Sequence, residues 1–130
     1  MKADSLPTGA SPEITEDRIL GGGLLLRQPA SGYRTGIDPV FLAAATPLRA
    51  QGRALDLGCG VGAAALCLAL RQPGLQVTGL EIQPALADLA RANVRLNGLD
   101  ERVAIVTGDL LRPPAGIGDG GFDVVLANPP

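Results

Sequence analysis

Histidine and tryptophan are absent from this chain of 130 residues, and its aromatic side chains are Tyr33, Phe41 and Phe122 alone. Without histidine there is no imidazole base, and a zinc site of the usual Cys–His kind is excluded. So few aromatics cannot furnish a series of base-stacking platforms, and the core must be aliphatic and alanine-rich. Cysteine is scarce: Cys59 stands in a glycine-rich turn and Cys67 in an apolar helical run, a usage that fits a reducing compartment. The longest apolar run, Ala63 to Leu70, is too short to span a bilayer. The N-terminus lacks a charged-then-apolar export signal. These absences predict a cytoplasmic protein that holds no metal and enters no membrane.

Charge is nearly balanced at a net −2, which gives no global attraction to nucleic acid. Its distribution is uneven. Arg18, Arg27, Arg34, Arg49 and Arg53 face only Asp38 within residues 18–53, while the flanking segments are acidic. Five arginines there are compatible with a phosphate backbone and equally with ordinary surface solvation.

The length allows one domain. Residues 1–15, rich in Ser, Pro, Gly and Thr, read as a flexible leader. Residues 16–50 read as a hairpin and helix: Arg18 to Leu20 and Leu24 to Arg27 are strands around a glycine turn, 28–36 is a loop, and Asp38-Pro39 caps and starts a helix that Pro47 ends. Residues 51–130 alternate. Strands are expected at Arg53 to Leu57, Gln76 to Glu81, Val103 to Thr107 and Phe122 to Ala127, with helices at Ala63 to Gln72 and Pro84 to Asn97. Strands alternating with helices predict an open α/β fold, a mainly parallel sheet with right-handed crossovers.

Ligands of such sheets lie at the C-terminal strand ends. Those ends carry Asp56 with Gly58-Cys59-Gly60-Val61-Gly62, then Glu81, Asp109 and Asn128. The glycines let main-chain amides approach a ligand, but their G-x-G-x-G spacing is not that of dinucleotide binders. Asp56 would repel a pyrophosphate and would favour a ligand with net positive charge, such as S-adenosylmethionine; its alternative role is a turn or helix cap. Glu81 can accept both hydroxyls of a ribose, or it is an exposed strand-end carboxylate. Asp109 can accept from an adenine amine, or it is a turn acid. Asn128-Pro129-Pro130 at the end of the last strand aims an amide and proline-fixed carbonyls beyond the sheet.

In this order the residues resemble the Rossmann-like S-adenosylmethionine-dependent methyltransferases. The match runs from Leu55-Asp56-Leu57-Gly58-Cys59-Gly60-Val61-Gly62 through Glu81 and Gly108-Asp109-Leu110 to Asn128-Pro129-Pro130. The last triplet is similar to the Asn-Pro-Pro-Tyr/Phe motif of methyltransferases acting on adenine or on a glutamine amide. Upstream, Arg18 to Gly22, Leu26 to Pro29 and Gly32 to Val40 resemble the bacterial family containing the tRNA(Val) adenine methyltransferase. The resemblance implies a tRNA partner and contacts to S-adenosylmethionine by Asp56, Gly58, Cys59, Gly60, Gly62, Glu81, Ile82, Asp109, Leu110 and Asn128. It also implies that Tyr33, Thr35 and Asp38 lie over the methionine end of the cofactor, although an N-cap role alone would explain Asp38. Asn128, Pro129 and Pro130 would be catalytic, with the Asn128 and Pro129 carbonyls receiving the target amine. An Asn-Pro-Pro ending without the aromatic residue suggests an enzyme interrupted at its motif, inactive as an isolated fragment. Glutamine methylation, a non-catalytic cofactor-binding remnant and a nicotinamide oxidoreductase are the rival readings; Asp56 and the glycine spacing oppose the last.

Overall fold

A computed structural model describes residues 13–32 and 35–129. Residues 1–12 of the expected leader, Tyr33 and Pro130 lie outside it. The chain begins with an antiparallel hairpin, β1 (Ile14–Ile19) and β2 (Leu24–Pro29), in which Ile19 faces Leu24 and Ile14 faces Pro29. Leu20–Gly22 forms a single 3-10 turn between them. Gly21 and Gly22 take φ of +63° and +94° there, conformations that cost glycine nothing. The hairpin is longer than its sequence pattern suggests. β1 starts at Ile14, inside the expected leader, and β2 continues through Gln28 and Pro29, inside the expected loop. Leu24 and Leu26 are fully buried, so the alternation that defines β2 carries on past Arg27.

Helix α1 spans Asp38–Ala45. Asp38 is not its N-cap, contrary to the sequence expectation. Ile37 holds that position in αR geometry without a side-chain cap bond, and Asp38 is the first helical residue. Its charge still complements the helix N-terminus. Thr46, forced into extended geometry before Pro47, closes the helix.

The remaining elements are β3 (Gly52–Leu57), α2 (Ala63–Arg71), β4 (Leu75–Glu81), α3 (Pro84–Leu96), β5 (Val103–Thr107) and β6 (Val124–Ala127). They build a parallel four-stranded sheet in the order β5-β4-β3-β6. β6 is two residues shorter than expected at its start. The Asp123 carboxylate accepts the Arg53 amide at 2.9 Å, and the Phe122 ring lies 4.5 Å beneath the Arg53 guanidinium, so both side chains are engaged before the ladder begins.

Successive residues point to opposite faces of the sheet. Ala54, Val77, Val103 and Leu126 join the main core with residues of β2, α1, α2 and α3. Leu55 and Leu80 face the other way, against Ile117 and Phe122 of the long 108–123 loop. Helix α2 is buried almost all round, from Ala63 to Ala69, because α1 and the hairpin cover the side turned away from the sheet. Among the described residues no helix is long and apolar enough to cross a membrane.

Candidate functional site

Register aligns the C-terminal strand ends. Asp56 lies opposite Gly79 on one side and Leu126 on the other, and Glu81 lies opposite Thr107. The β3–α2 turn rises above this edge. The Cys59 amide donates to the Leu80 carbonyl at 2.9 Å, and the Gly60 amide donates to Glu81 Oε1 at 2.8 Å. Gly58 and Gly60 have φ of +67° and +56°, and a Cβ built on either would meet nothing within 4 Å. Glycine is needed there for backbone conformation, and it leaves the space above the turn open. Gly62, at φ +94°, is required for the same conformational reason; a Cβ there would make only an ordinary contact, 3.5 Å from the Ala90 side chain.

One cleft gathers Thr35, Asp56, Gly58, Cys59, Gly60 and Asn128. Pro29 from β2, Pro39 from α1, Val61, Ala63, Ala64 and Leu86 complete its walls. The N-terminal segment therefore supplies part of the pocket rather than hanging beside it. Ile82, Leu110 and Asp38 are exposed and, with Gly62, Glu81, Asp109 and Pro129, lie outside the cleft lining. Asp109 closes its own turn: its Oδ1 accepts the Leu111 amide at 2.9 Å and its carbonyl accepts the Arg112 amide at 3.0 Å.

The two strand-end acids are in opposite conditions. Glu81 is 6% exposed, which rules out the exposed-carboxylate role. Both its oxygens are satisfied, Oε1 by Gly60 and Oε2 by the Gln83 amide at 2.9 Å. Asp56 is 2% exposed, and its Oδ2 has no hydrogen-bond partner. Burial pushes the Asp56 carboxyl up to about 7; the backbone hydrogen bond from Ala65 opposes this and the nearby Glu81 charge adds to it. A half-satisfied acid at the wall of a cleft is suited to a cationic or N–H-bearing ligand. Cys59 also lines the cleft, but burial first, then the charges of Asp56 and Glu81, holds its thiol far above the usual thiol range. It packs as a small hydrophobe and is no nucleophile.

Four side-chain amides went unsingled by the sequence pattern. Gln28, 3% exposed, accepts the Thr35 amide at 2.8 Å and donates to Asp17 Oδ2 at 2.8 Å, which fixes Thr35 at the cleft. Gln72 ties the end of α2 to the 46–49 linker, accepting from the Arg49 amide at 2.9 Å and donating to the Pro47 carbonyl at 3.0 Å. Asn93 and Asn97 join α3 to the outer edge of β2. Asn97 accepts from the Leu25 amide at 2.9 Å and donates to the Leu25 carbonyl at 2.7 Å. Asn93 makes the same pair of bonds to Arg27. The available signal was an i, i+4 pair of asparagines, weak helix formers, beside the apolar stripe of α3.

The family model described as methyltransferase small domain matches residues 35–130. The chain is 38% identical over 109 residues to a Porphyromonas gingivalis protein named tRNA1(Val) (adenine(37)-N6)-methyltransferase, covering 79% of this chain and 43% of that one. A Yersinia pseudotuberculosis protein of the same name is 33% identical over 130 residues, covering 95% and 51%. The chain thus spans about half the length of the curated relatives it matches. Among solved structures, a SAM-dependent methyltransferase from Thiobacillus denitrificans in complex with S-adenosyl-L-homocysteine superposes with a TM-score of 0.59 at 27% identity, covering 72% of this chain and 36% of that one.

Proposed function

The chain belongs to the methyltransferase small domain family, and from that premise we propose that it is the cofactor-binding part of an S-adenosylmethionine-dependent enzyme that methylates the exocyclic amine of adenine in tRNA. The observation that carries the reading is Asp56, buried in the cleft wall with Oδ2 unpartnered. That oxygen fits an ammonium donor, and the open space above Gly58 and Gly60 fits a ligand laid close against the backbone of the turn. The names of the Porphyromonas and Yersinia relatives support adenine in tRNA as the substrate.

In this reading Asp56 holds the cationic end of the ligand, and Glu81, rigidly fixed by Gly60 and Gln83, offers its remaining lone pairs to ribose hydroxyls. Thr35, Pro29 and Pro39 cover the ligand from the hairpin side. S-Adenosylmethionine supplies an electrophilic methyl group on a sulfonium. The Asn128 side-chain carbonyl and the Pro129 main-chain carbonyl accept the hydrogens of the incoming amine, which turns its lone pair toward that methyl. Those contacts would free the amine lone pair from conjugation with the ring. The S–CH3 bond would break as the N–CH3 bond forms, S-adenosylhomocysteine would leave as a neutral thioether and the nitrogen would give its extra proton to water afterwards, so no histidine is needed. Residues 16–50 and 51–130 then act as a cover and a cofactor-binding domain.

Calorimetric titration tests the cofactor: S-adenosylhomocysteine should bind and NAD should not. A flat S-adenosylhomocysteine titration overturns the reading. For the substrate, tRNA from cells lacking the gene should lose an N6-methyladenosine that returns with it; an unchanged nucleoside profile excludes adenine in tRNA.

A further inference from the structure

Asn93 is wholly buried, and its amide makes three hydrogen bonds. Oδ1 accepts the Arg27 amide at 2.8 Å, and Nδ2 donates to the Arg27 carbonyl at 2.9 Å and to the Val61 carbonyl at 2.9 Å. Arg27 belongs to the hairpin, and Val61 belongs to the glycine turn. A single side chain therefore links the element that carries Pro29 to the turn that carries Gly58 and Gly60, and all three of those residues line the cleft. Asn97, one turn along α3, repeats the grip on β2 at Leu25, but its third bond goes to the Asn93 carbonyl and not to the turn.

We infer that Asn93 is a positioning residue for the ligand site, coupling the docking of the β1–β2 hairpin to the conformation of the glycine turn so that the two walls of the cleft form and loosen together. The assignment of the ligand rests on the function proposed above; the mechanical coupling does not. Each bond alone is an ordinary buried hydrogen bond. Their convergence on one rigid amide, three bonds shared between two chain segments, gives the site a joint that neither segment has by itself. The Val61 carbonyl accepts from Asn93 of α3 just before Gly62, at φ +94°, turns the chain into α2. A ligand that pins the turn then also pins the hairpin, and the effect is reciprocal.

Hydrogen exchange on the unliganded protein tests the coupling without any ligand. Asn93→Ala should speed exchange of the Arg27 amide and of the turn amides Gly60 and Gly62 together. Asn97→Ala should speed Leu25 and leave the turn amides as they are. Unchanged Gly60 and Gly62 exchange in Asn93→Ala overturns the proposal. Titration with S-adenosylhomocysteine adds the functional readout: Asn93→Ala should weaken binding by about tenfold or more, whereas Gln72→Ala, which cuts a buried amide tether away from the turn, should stay within about threefold. Equal losses in both variants reduce Asn93 to a stabilising residue and overturn its positioning role. Should Asn93→Ala fail to fold, the wild-type protein decides: saturating S-adenosylhomocysteine should slow exchange at Arg27, and an unaffected Arg27 amide overturns the coupling. A wild-type protein that does not bind S-adenosylhomocysteine refutes the proposed function, while the unliganded exchange data still decide the coupling.

Discussion

Asp56 and Glu81 end neighbouring strands of one sheet, both nearly inaccessible to solvent. Glu81 receives two main-chain amides and acts as part of the scaffold. Asp56 keeps an oxygen in reserve, at the expense of a carboxyl held near neutrality. The difference separates an acid pinned by its own backbone from one left open at the same end of the sheet. An acid whose two oxygens each accept a main-chain amide is fixed in place and keeps only its remaining lone pairs for a ligand, whereas an acid with an oxygen left wholly unpartnered is waiting for a partner.

Removing Glu81 should have the largest effect. Glu81→Ala strands the Gly60 and Gln83 amides, each worth roughly 1–3 kcal/mol when left unsatisfied, so both melting temperature and S-adenosylhomocysteine affinity should fall, the latter by about one to two orders of magnitude. A variant that melts like wild type would erase the distinction between the two acids. Asp56→Asn should separate the effects: affinity drops about tenfold, in keeping with loss of a charge-assisted bond, while unliganded stability at neutral pH holds or rises. Calorimetry and thermal melts on the same sample check it.

The pH dependence sharpens the contrast. The folded-state pKa of Asp56, about 7, exceeds its ordinary value of 3.8, so between those values the folded state binds more protons than the unfolded one. The contribution of this group to stability is therefore fully present below about 4, falls as pH rises toward 7, and levels off above it. A cationic ligand should conversely bind better at pH 8 than at pH 6. Melts and titrations across this window should show both slopes in the wild type and neither in Asp56→Asn.

Gly79, beside Asp56 in the ladder, offers a smaller perturbation. A methyl group there would stand 2.8 Å from Cys59 Sγ, so Gly79→Ala should push the turn outward and cost about 1–3 kcal/mol by overpacking, read by denaturant titration. The smallest effect belongs to an acid outside the site. Glu16 pairs with Arg27 at 3.1 Å on the open surface, and Glu16→Gln should change stability by less than about 1 kcal/mol.

The sequence made the parallel sheet legible because its signals are local. β3, α2, β4, α3 and β5 lie within a residue of their expected ends, each bounded by glycine, proline or a change of hydrophobic period. The glycine turn, Asp56 and Asn128 were legible by the same logic, since strand ends of such a sheet converge. The hairpin edges were not, because Thr15 and Gln28 face each other through pairing rather than through any nearby pattern. The Asp38 cap failed because Ile37 adopts helical dihedrals and moves the start back by one residue. The amides of Gln28, Gln72, Asn93 and Asn97 escaped for a related reason: Asn93 reaches Arg27 across 66 positions of sequence, and polar residues on a helix read as surface until their partners are known.

A strand edge normally ends in another strand, in water or in a neighbouring molecule. The outer edge of β2 ends in Asn97 and Asn93, whose carboxamides copy the donor and acceptor of a peptide group at Leu25 and Arg27. Helix α3 thereby acts as an imitation strand, and the border it closes is unavailable for pairing with a second chain. Substituting those two residues would turn a sealed margin into an adhesive one, so the same pair that seats the hairpin should also help to keep the protein in solution.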